Sequence, residues 1–262
     1  MGRSIAFVYG LFCYAVFFLT FLYLYGFLAN LPQLPRTIDS GPAATPLVAL
    51  LINVGLIALF GLQHTVMARP AFKEQWTRIV PAPIERSTYV LVSSLLLILL
   101  FWLWRPMTGT VIWNAESAWG QYLGWGVFVV GFFVVLLSTF IIDHFDLFGL
   151  KQVWRHLQQK AYAHPGFKVT YFYRFVRHPL YLGWLMTFWG TPRMTLGHLL
   201  FAVGMSAYIL IAIRYEERDL EHFLGEDYAR YREKVQMLIP RPGKRHARVR
   251  SSGDAHSAAH SH

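Results

Sequence analysis

The densest group of reactive side chains is Tyr173-Arg174-Phe175-Val176-Arg177-His178-Pro179-Leu180-Tyr181-Leu182-Gly183. Proline suits the first turn of a helix, where its missing N–H costs nothing, so the spacing predicts a helix starting at Pro179 with His178 just before it. Such a start exposes unpaired N–H groups and the positive end of the helix dipole, which favour an anion such as a carboxylate. Arg174 and Arg177 add charge-assisted donors. Gly183, one turn in, permits close approach of a ligand or of another helix. A purely structural His-Pro helix start is the alternative reading. Further along, Glu216 and Glu217 stand side by side. Cationic donors at one end and carboxylates at the other suit a zwitterionic ligand such as an amino-acid moiety.

Other polar side chains border apolar stretches: Gln63 and His64, then Asp143, His144 and Asp146. Polar groups at membrane depth usually mark a site or a wet cavity, because leaving them unpaired in lipid is costly. Interfacial snorkelling accounts for Lys and Arg more easily than for Asp143, Glu216 and Glu217. His64 and His144 are conceivable metal or haem ligands, yet no His-x-x-x-His or Glu-x-x-His spacing supports a metal site. A serine nucleophile elbow, a P-loop, a Rossmann glycine fingerprint and a kinase signature are all absent.

The elements that must position these groups follow from where charge is missing. The 262 residues are 55% hydrophobic and only 15% charged, which argues against an ordinary soluble enzyme. Six segments contain no Asp, Glu, Lys or Arg: 4–35, 40–68, 87–104, 117–142, 179–192 and 194–213. A helix needs about 20 apolar residues to cross a bilayer, so the expectation is an all-α integral membrane protein. It has four long spans and a C-terminal helical hairpin, five or six transmembrane helices in all, with cytoplasmic amphipathic helices. The 179–192 run is too short for a confident span and is joined to the next only through Arg193. The hairpin therefore either crosses as two helices or dips in and returns. The first run is too long for a secretory signal and is kept as a span.

Lys and Arg concentrate in 69–86, 151–177 and from 214 onward, which by the positive-inside rule puts both termini and the polar clusters on the cytoplasmic side of a bacterial inner membrane. The net charge of +10 is then mostly a topology signal, with some attraction to anionic lipid headgroups. The basic residues form no nucleic-acid-binding motif. Three regions result: a four-helix transmembrane region, 1–142; a cytoplasmic loop, hairpin and ligand-binding region, 143–240; and a basic, histidine-containing tail, 241–262, expected to be disordered. In the second region, Asp143 to Arg177 reads as a short interfacial helix and a loop. A helix emerging past Ile213 carries Leu220, Phe223 and Leu224 on one face, ends at Gly225, and precedes a short amphipathic piece with Tyr228, Tyr231 and Val235. Gly120 and Gly124 are spaced for a close helix approach or pair by accident. The single Cys13 precludes an intrachain disulfide.

Arg177-His-Pro-Leu-Tyr181-Leu-Gly183, a hydrophobic hairpin, Glu216-Glu217-Arg-Asp-Leu220 and Tyr228-Ala-Arg-Tyr231-Arg-Glu-Lys-Val235 together resemble the isoprenylcysteine carboxyl methyltransferase and phospholipid methyltransferase superfamily. The upstream Asp143-His-Phe-Asp-Leu-Phe-Gly-Leu-Lys-Gln152 stretch is similar to the bacterial methanethiol S-methyltransferase, NnrU-like branch. The resemblance implies S-adenosylmethionine bound at the cytoplasmic end of the last helices. Tyr173, Arg177, His178, Pro179, Tyr181 and Gly183 would form one part of its site, and Glu216 and Glu217 the other. The superfamily commonly has Gly where this chain has Tyr171.

Methyl transfer from a sulfonium to a thiolate neutralises two charges, so a dry pocket and in-line positioning favour it. A base must take the thiol proton; His64, His144 and Tyr181 are candidates, with Asp143 or Asp146 orienting a histidine. The expected reaction is methylation of a small thiol, methanethiol to dimethyl sulfide. The motif also allows a lipid or prenylcysteine carboxyl acceptor. A non-catalytic NnrU-like protein using His64 and His144 for haem or metal, and more distantly a sterol-reductase-like NADPH enzyme, are the competing readings.

Overall fold

The computed structural model describes residues 2–162 and 171–240. The tail from 241 and the His164-Pro165-Gly166 break lie outside the described residues. The chain forms α1 (Arg3–Leu28), α2 (Pro46–Ala68), α3 (Pro70–Trp76), α4 (Ala82–Leu103), β1 (Val111–Asn114) and α5 (Ala118–Ile142). These are followed by α6 (His144–Leu147), α7 (Leu150–Leu157), a 3-10 turn at Tyr171–Arg174, α8 (Pro179–Trp189), β2 (Arg193–Thr195), α9 (Leu196–Leu224) and α10 (Glu226–Lys234). The protein is an all-α membrane protein, with one two-stranded sheet among the described residues. Among the described residues, five helices, α1, α2, α4, α5 and α9, are long and apolar enough to cross a membrane. They carry Leu, Val and Phe on their outer faces, among them Leu19, Leu51, Leu62 and Leu123, as a lipid solvent allows.

One end of the bundle is tied by the α1–α2, α4–α5 and α8–α9 connections. The Asn53 side chain donates to the Arg105 carbonyl at 2.8 Å and accepts from the Arg105 N–H at 2.9 Å. Thr195 donates to Asp39 at 2.6 Å, and the Trp104 indole to the Ile38 carbonyl at 3.1 Å. β1 and β2 pair antiparallel here, with Val111 opposite Thr195. The opposite end holds α3, α6, α7 and α10.

The hairpin takes a form that neither of its two expected geometries describes. The residues before α8 are bonded to the α10 end, while β2 is paired at the other end, so this segment traverses the bundle. Its helix has 11 residues and rises about 16 Å; an extended stretch through Arg193–Thr195 supplies the remaining length. The return helix α9 has 29 residues and continues past the apolar layer to Leu224, carrying Glu216 and Glu217. Its exit packs Leu220 and Leu224 on Tyr228, Tyr231 and Val235 of α10 and the residue after it, as their spacing predicts. Phe223 departs from the expected shared face: it is 68% exposed.

The close helix approach lies at α5 with α8, not at Gly120 and Gly124. A Cβ on Gly131 would sit 2.7 Å from the Thr187 nitrogen, and one on Gly183 would sit 2.8 Å from the Val135 nitrogen. Two backbones in contact leave no room for side chains, the same device small residues serve in membrane helix pairs generally. Gly124 instead backs onto the Thr191–Pro192 loop.

Candidate active site

A cavity of about 500 Å³ opens between α1, α2, α4, α5, α8 and α9, within the range usual for small-molecule sites. Its deeper wall is apolar, with Phe21, Phe60, Trp184 and Phe188 among its rings. Polar groups gather toward the end that holds α3 and α10. Of the residues singled out in the sequence, the cavity is lined by His64, Tyr173, Arg177, His178, Tyr181 and Glu216. Asp143, His144, Pro179, Gly183 and Glu217 are not in its wall.

The two glutamates divide their work. Glu216 faces the cavity and accepts the Tyr181 hydroxyl proton at 2.9 Å, with His178 Nδ1 at 3.9 Å. Glu217, one residue on and so turned by about 100°, points away. It accepts from Arg177 Nε at 2.8 Å and from His178 Nε2 at 2.9 Å. Arg177 also donates Nη1 to the Val235 carbonyl at 2.6 Å and to that of Arg232 at 3.1 Å. The guanidinium is thus a clasp joining α8, α9 and the chain after α10. The N–H groups of Arg177 and His178 are likewise taken, by the carbonyls of Gln236 at 2.8 Å and Met237 at 3.1 Å. The helix start is therefore sewn to the chain's own backbone just ahead of Pro179, and an anion there has fewer open donors than the sequence predicts.

The histidines separate by hydrogen-bond accounting. Thr139 donates its hydroxyl to the Leu136 carbonyl at 2.7 Å, so the His144 Nδ1 contact at 2.9 Å must be a donation from the imidazole. Its Nε2 then accepts from Tyr14 at 2.8 Å. Both ring nitrogens are satisfied and the ring stacks on Phe140: His144 pins the α5–α6 corner to α1. Burial holds it below the usual histidine range, although Asp143 opposes this. Asp143 caps α6 by accepting the Asp146 N–H at 3.1 Å and is ion-paired with Lys151. Burial alone would raise this carboxyl, but the Lys151 bond, the Asp146 N–H and nearby positive charge outweigh it and keep the carboxyl below its usual range. Asp146 accepts from the Tyr162 hydroxyl at 2.7 Å. Asp143 and Asp146 therefore support the loop and orient no cavity histidine.

His64 is placed differently. Ser93 donates to the Tyr89 carbonyl at 2.9 Å, and the His64 Nδ1 contact with the Ser93 oxygen is 3.1 Å. With the serine proton so committed, Nδ1 carries the imidazole proton and Nε2 keeps its lone pair. Phe60 stacks on the ring at 5.3 Å, and Tyr89 and Tyr208 flank it at 5.0 and 6.1 Å. Among the described residues no three His, Cys, Asp or Glu side chains converge as a metal site would need.

The sequence reading passed over Tyr89, Ser93, Arg86, Arg69, Asp219 and Tyr208, all in the cavity wall. Arg69 and Asp219 form an ion pair at 2.9 Å across the mouth. Arg86, Tyr89 and Ser93 fall at i, i+3 and i+7 on one face of α4, a spacing visible in the sequence once the partner face is known.

No family model and no solved structure matches the chain. Curated proteins do. It is 50% identical to the methanethiol S-methyltransferase of Crocosphaera subtropica over 94% of this chain and 95% of that one. It is 48% identical to the methanethiol S-methyltransferase of Mycobacterium tuberculosis over 92% of this chain and 98% of that one. A more distant similarity, 30% over 67% of this chain and 64% of the other, links it to Nurim of Xenopus laevis. Identity near one half over more than nine tenths of the chain leaves one assignment: the chain belongs to the methanethiol S-methyltransferase family.

Proposed function

We propose that the protein is an S-adenosylmethionine-dependent membrane methyltransferase that converts methanethiol to dimethyl sulfide, with its cavity open to the cytoplasm. The observation that carries this reading is the pairing of an apolar cavity of about 500 Å³ with a polar mouth built from Glu216, Tyr181 and His178, in a chain half identical to proteins named for that reaction. The residues fit the methyl donor: Glu216 offers a carboxylate to its cationic or hydroxyl groups, and the ring-rich wall suits an adenosyl group. The excess of Lys and Arg at the same end supports the cytoplasmic orientation.

When bound, S-adenosylmethionine supplies a sulfonium methyl that a thiolate sulfur takes up as the old carbon–sulfur bond breaks. This chain's own residues do the rest. The apolar wall excludes water, so a thiolate and a cation are brought together in a medium that favours their neutral products. His64 takes the thiol proton on Nε2, with Ser93 fixing its tautomer. Tyr181 orients Glu216, and Glu217 holds His178 and Arg177 in place from behind, as a positioning residue.

The test is equilibrium binding of S-adenosylmethionine to the purified protein in detergent. Glu216→Gln should weaken it by about tenfold, one charge-assisted contact, and unchanged affinity in a folded Glu216→Gln protein would rule out the assignment. His64→Ala should keep that affinity and lose turnover; full turnover at neutral pH removes His64 from the reaction.

A further inference from the structure

One arginine of the cavity wall has no carboxylate partner among the described residues. Three arginines line the cavity. Arg69 is paired with Asp219 at 2.9 Å and Arg177 with Glu217 at 2.8 Å. Arg86, half-buried in the second turn of α4, has no carboxylate within 4.0 Å among the described residues. Its Nε donates to the Leu147 carbonyl at 2.7 Å, and its guanidinium lies 5.0 Å from the Tyr89 ring centroid. Among the described residues neither Nη group has a hydrogen-bond acceptor. Lys73, on α3, adds to the local positive charge: burial and then Arg86 hold it below the usual lysine range, against the pull of Glu85.

A half-buried cation facing an apolar cavity is costly unless an anion joins it. The guanidinium presents parallel N–H donors that match the two oxygens of a carboxylate better than a single sulfur. Arg177, which the sequence offers for an anion, is already consumed by Glu217 and two carbonyls. We propose that Arg86 binds the carboxylate of the methyl donor's amino-acid moiety. This assigns part of the donor site to the N-terminal half of the chain. The inference rests on S-adenosylmethionine being the donor.

The experiment compares S-adenosylmethionine with its decarboxylated analogue, by titration calorimetry on the full-length protein in detergent. The wild-type protein should prefer the carboxylated ligand by roughly 10- to 100-fold, the value of a charge-assisted bond. Arg86→Gln should erase that preference by weakening S-adenosylmethionine alone, and Arg86→Lys should retain part of it. Binding of the analogue at wild-type affinity shows that each variant is folded. Equal weakening of both ligands, no weakening of either, or a change confined to the KM for methanethiol would overturn the role. Failure of the wild-type protein to bind either ligand would overturn the donor reading itself.

Discussion

Replacing Glu217 by Leu should damage the architecture of the site without touching what lies in the cavity. Its carboxylate accepts from Arg177 at 2.8 Å and His178 at 2.9 Å, and the arginine and glutamate side chains are 10% and 15% exposed. Losing one member of a buried pair costs roughly 3–5 kcal/mol because a charge is left unpaired. Arg177 keeps its bonds to the carbonyls of Val235 and Arg232, so the lower value, about 3 kcal/mol, is expected. For a chain of this size each kcal/mol shifts the apparent Tm by about 2–4 °C, giving a drop of roughly 6–12 °C by tryptophan fluorescence in detergent. The companion is the double variant Arg177→Met with Glu217→Leu, which removes both charges together. It should unfold at a higher temperature than the sum of the single losses allows, with a coupling of about 1–3 kcal/mol. Strictly additive losses would show that the pair does not hold α8, α9 and α10 together, and the division of labour between the two glutamates would fall with it.

Gly183→Val places side-chain atoms where even a Cβ would be 2.8 Å from the Val135 nitrogen; membrane-inserted, monodisperse protein should be lost, and a well-folded variant would refute the backbone contact between α5 and α8. His144→Ala breaks two hydrogen bonds to α1 and α5 and should lower the apparent Tm by several degrees while leaving the KM for methanethiol unchanged; an altered KM would return His144 to the site. Asp143 has its carboxyl held below the usual range, so its contribution to stability is present above the unfolded-state value and is lost as pH falls through the folded-state value. Asp143→Asn should accordingly be less stable than wild type at neutral pH and converge with it in acid, as thermal melts across pH would show. Tyr181→Phe removes the donor to Glu216 and should weaken S-adenosylmethionine a few-fold, with unchanged binding counting against that contact.

The spans were legible because charge cannot be left in lipid: each of the five long charge-free runs holds most of one long helix, although α4 begins earlier and takes in Glu85 and Arg86, and α9 runs from apolar residues straight into Glu216 and Glu217. The crossing by α8 was less legible, since its last stretch is extended and relies on β1, which lies far off in sequence. The His-Pro helix start and the carboxylates beyond it do meet in space, but Arg177 and His178 pair with Glu217 rather than facing it across a ligand as the sequence alone suggested. Their individual roles were not readable. Which of two adjacent glutamates faces a cavity depends on helix rotation, and whether Arg177 is open to a ligand depends on carbonyls presented by residues 232–237. His64 and His144 look alike at the ends of apolar runs. Only their partners distinguish a fully satisfied corner histidine from one with a lone pair in the cavity region.

The central claim is tested most directly by giving the purified protein S-adenosylmethionine labelled in its methyl group, together with methanethiol, and measuring headspace and lipid fractions. Labelled dimethyl sulfide should form in a one-to-one ratio with S-adenosylhomocysteine and should vanish when either ligand is omitted. Label appearing in lipid, or no volatile product from protein that binds the donor, would contradict the account.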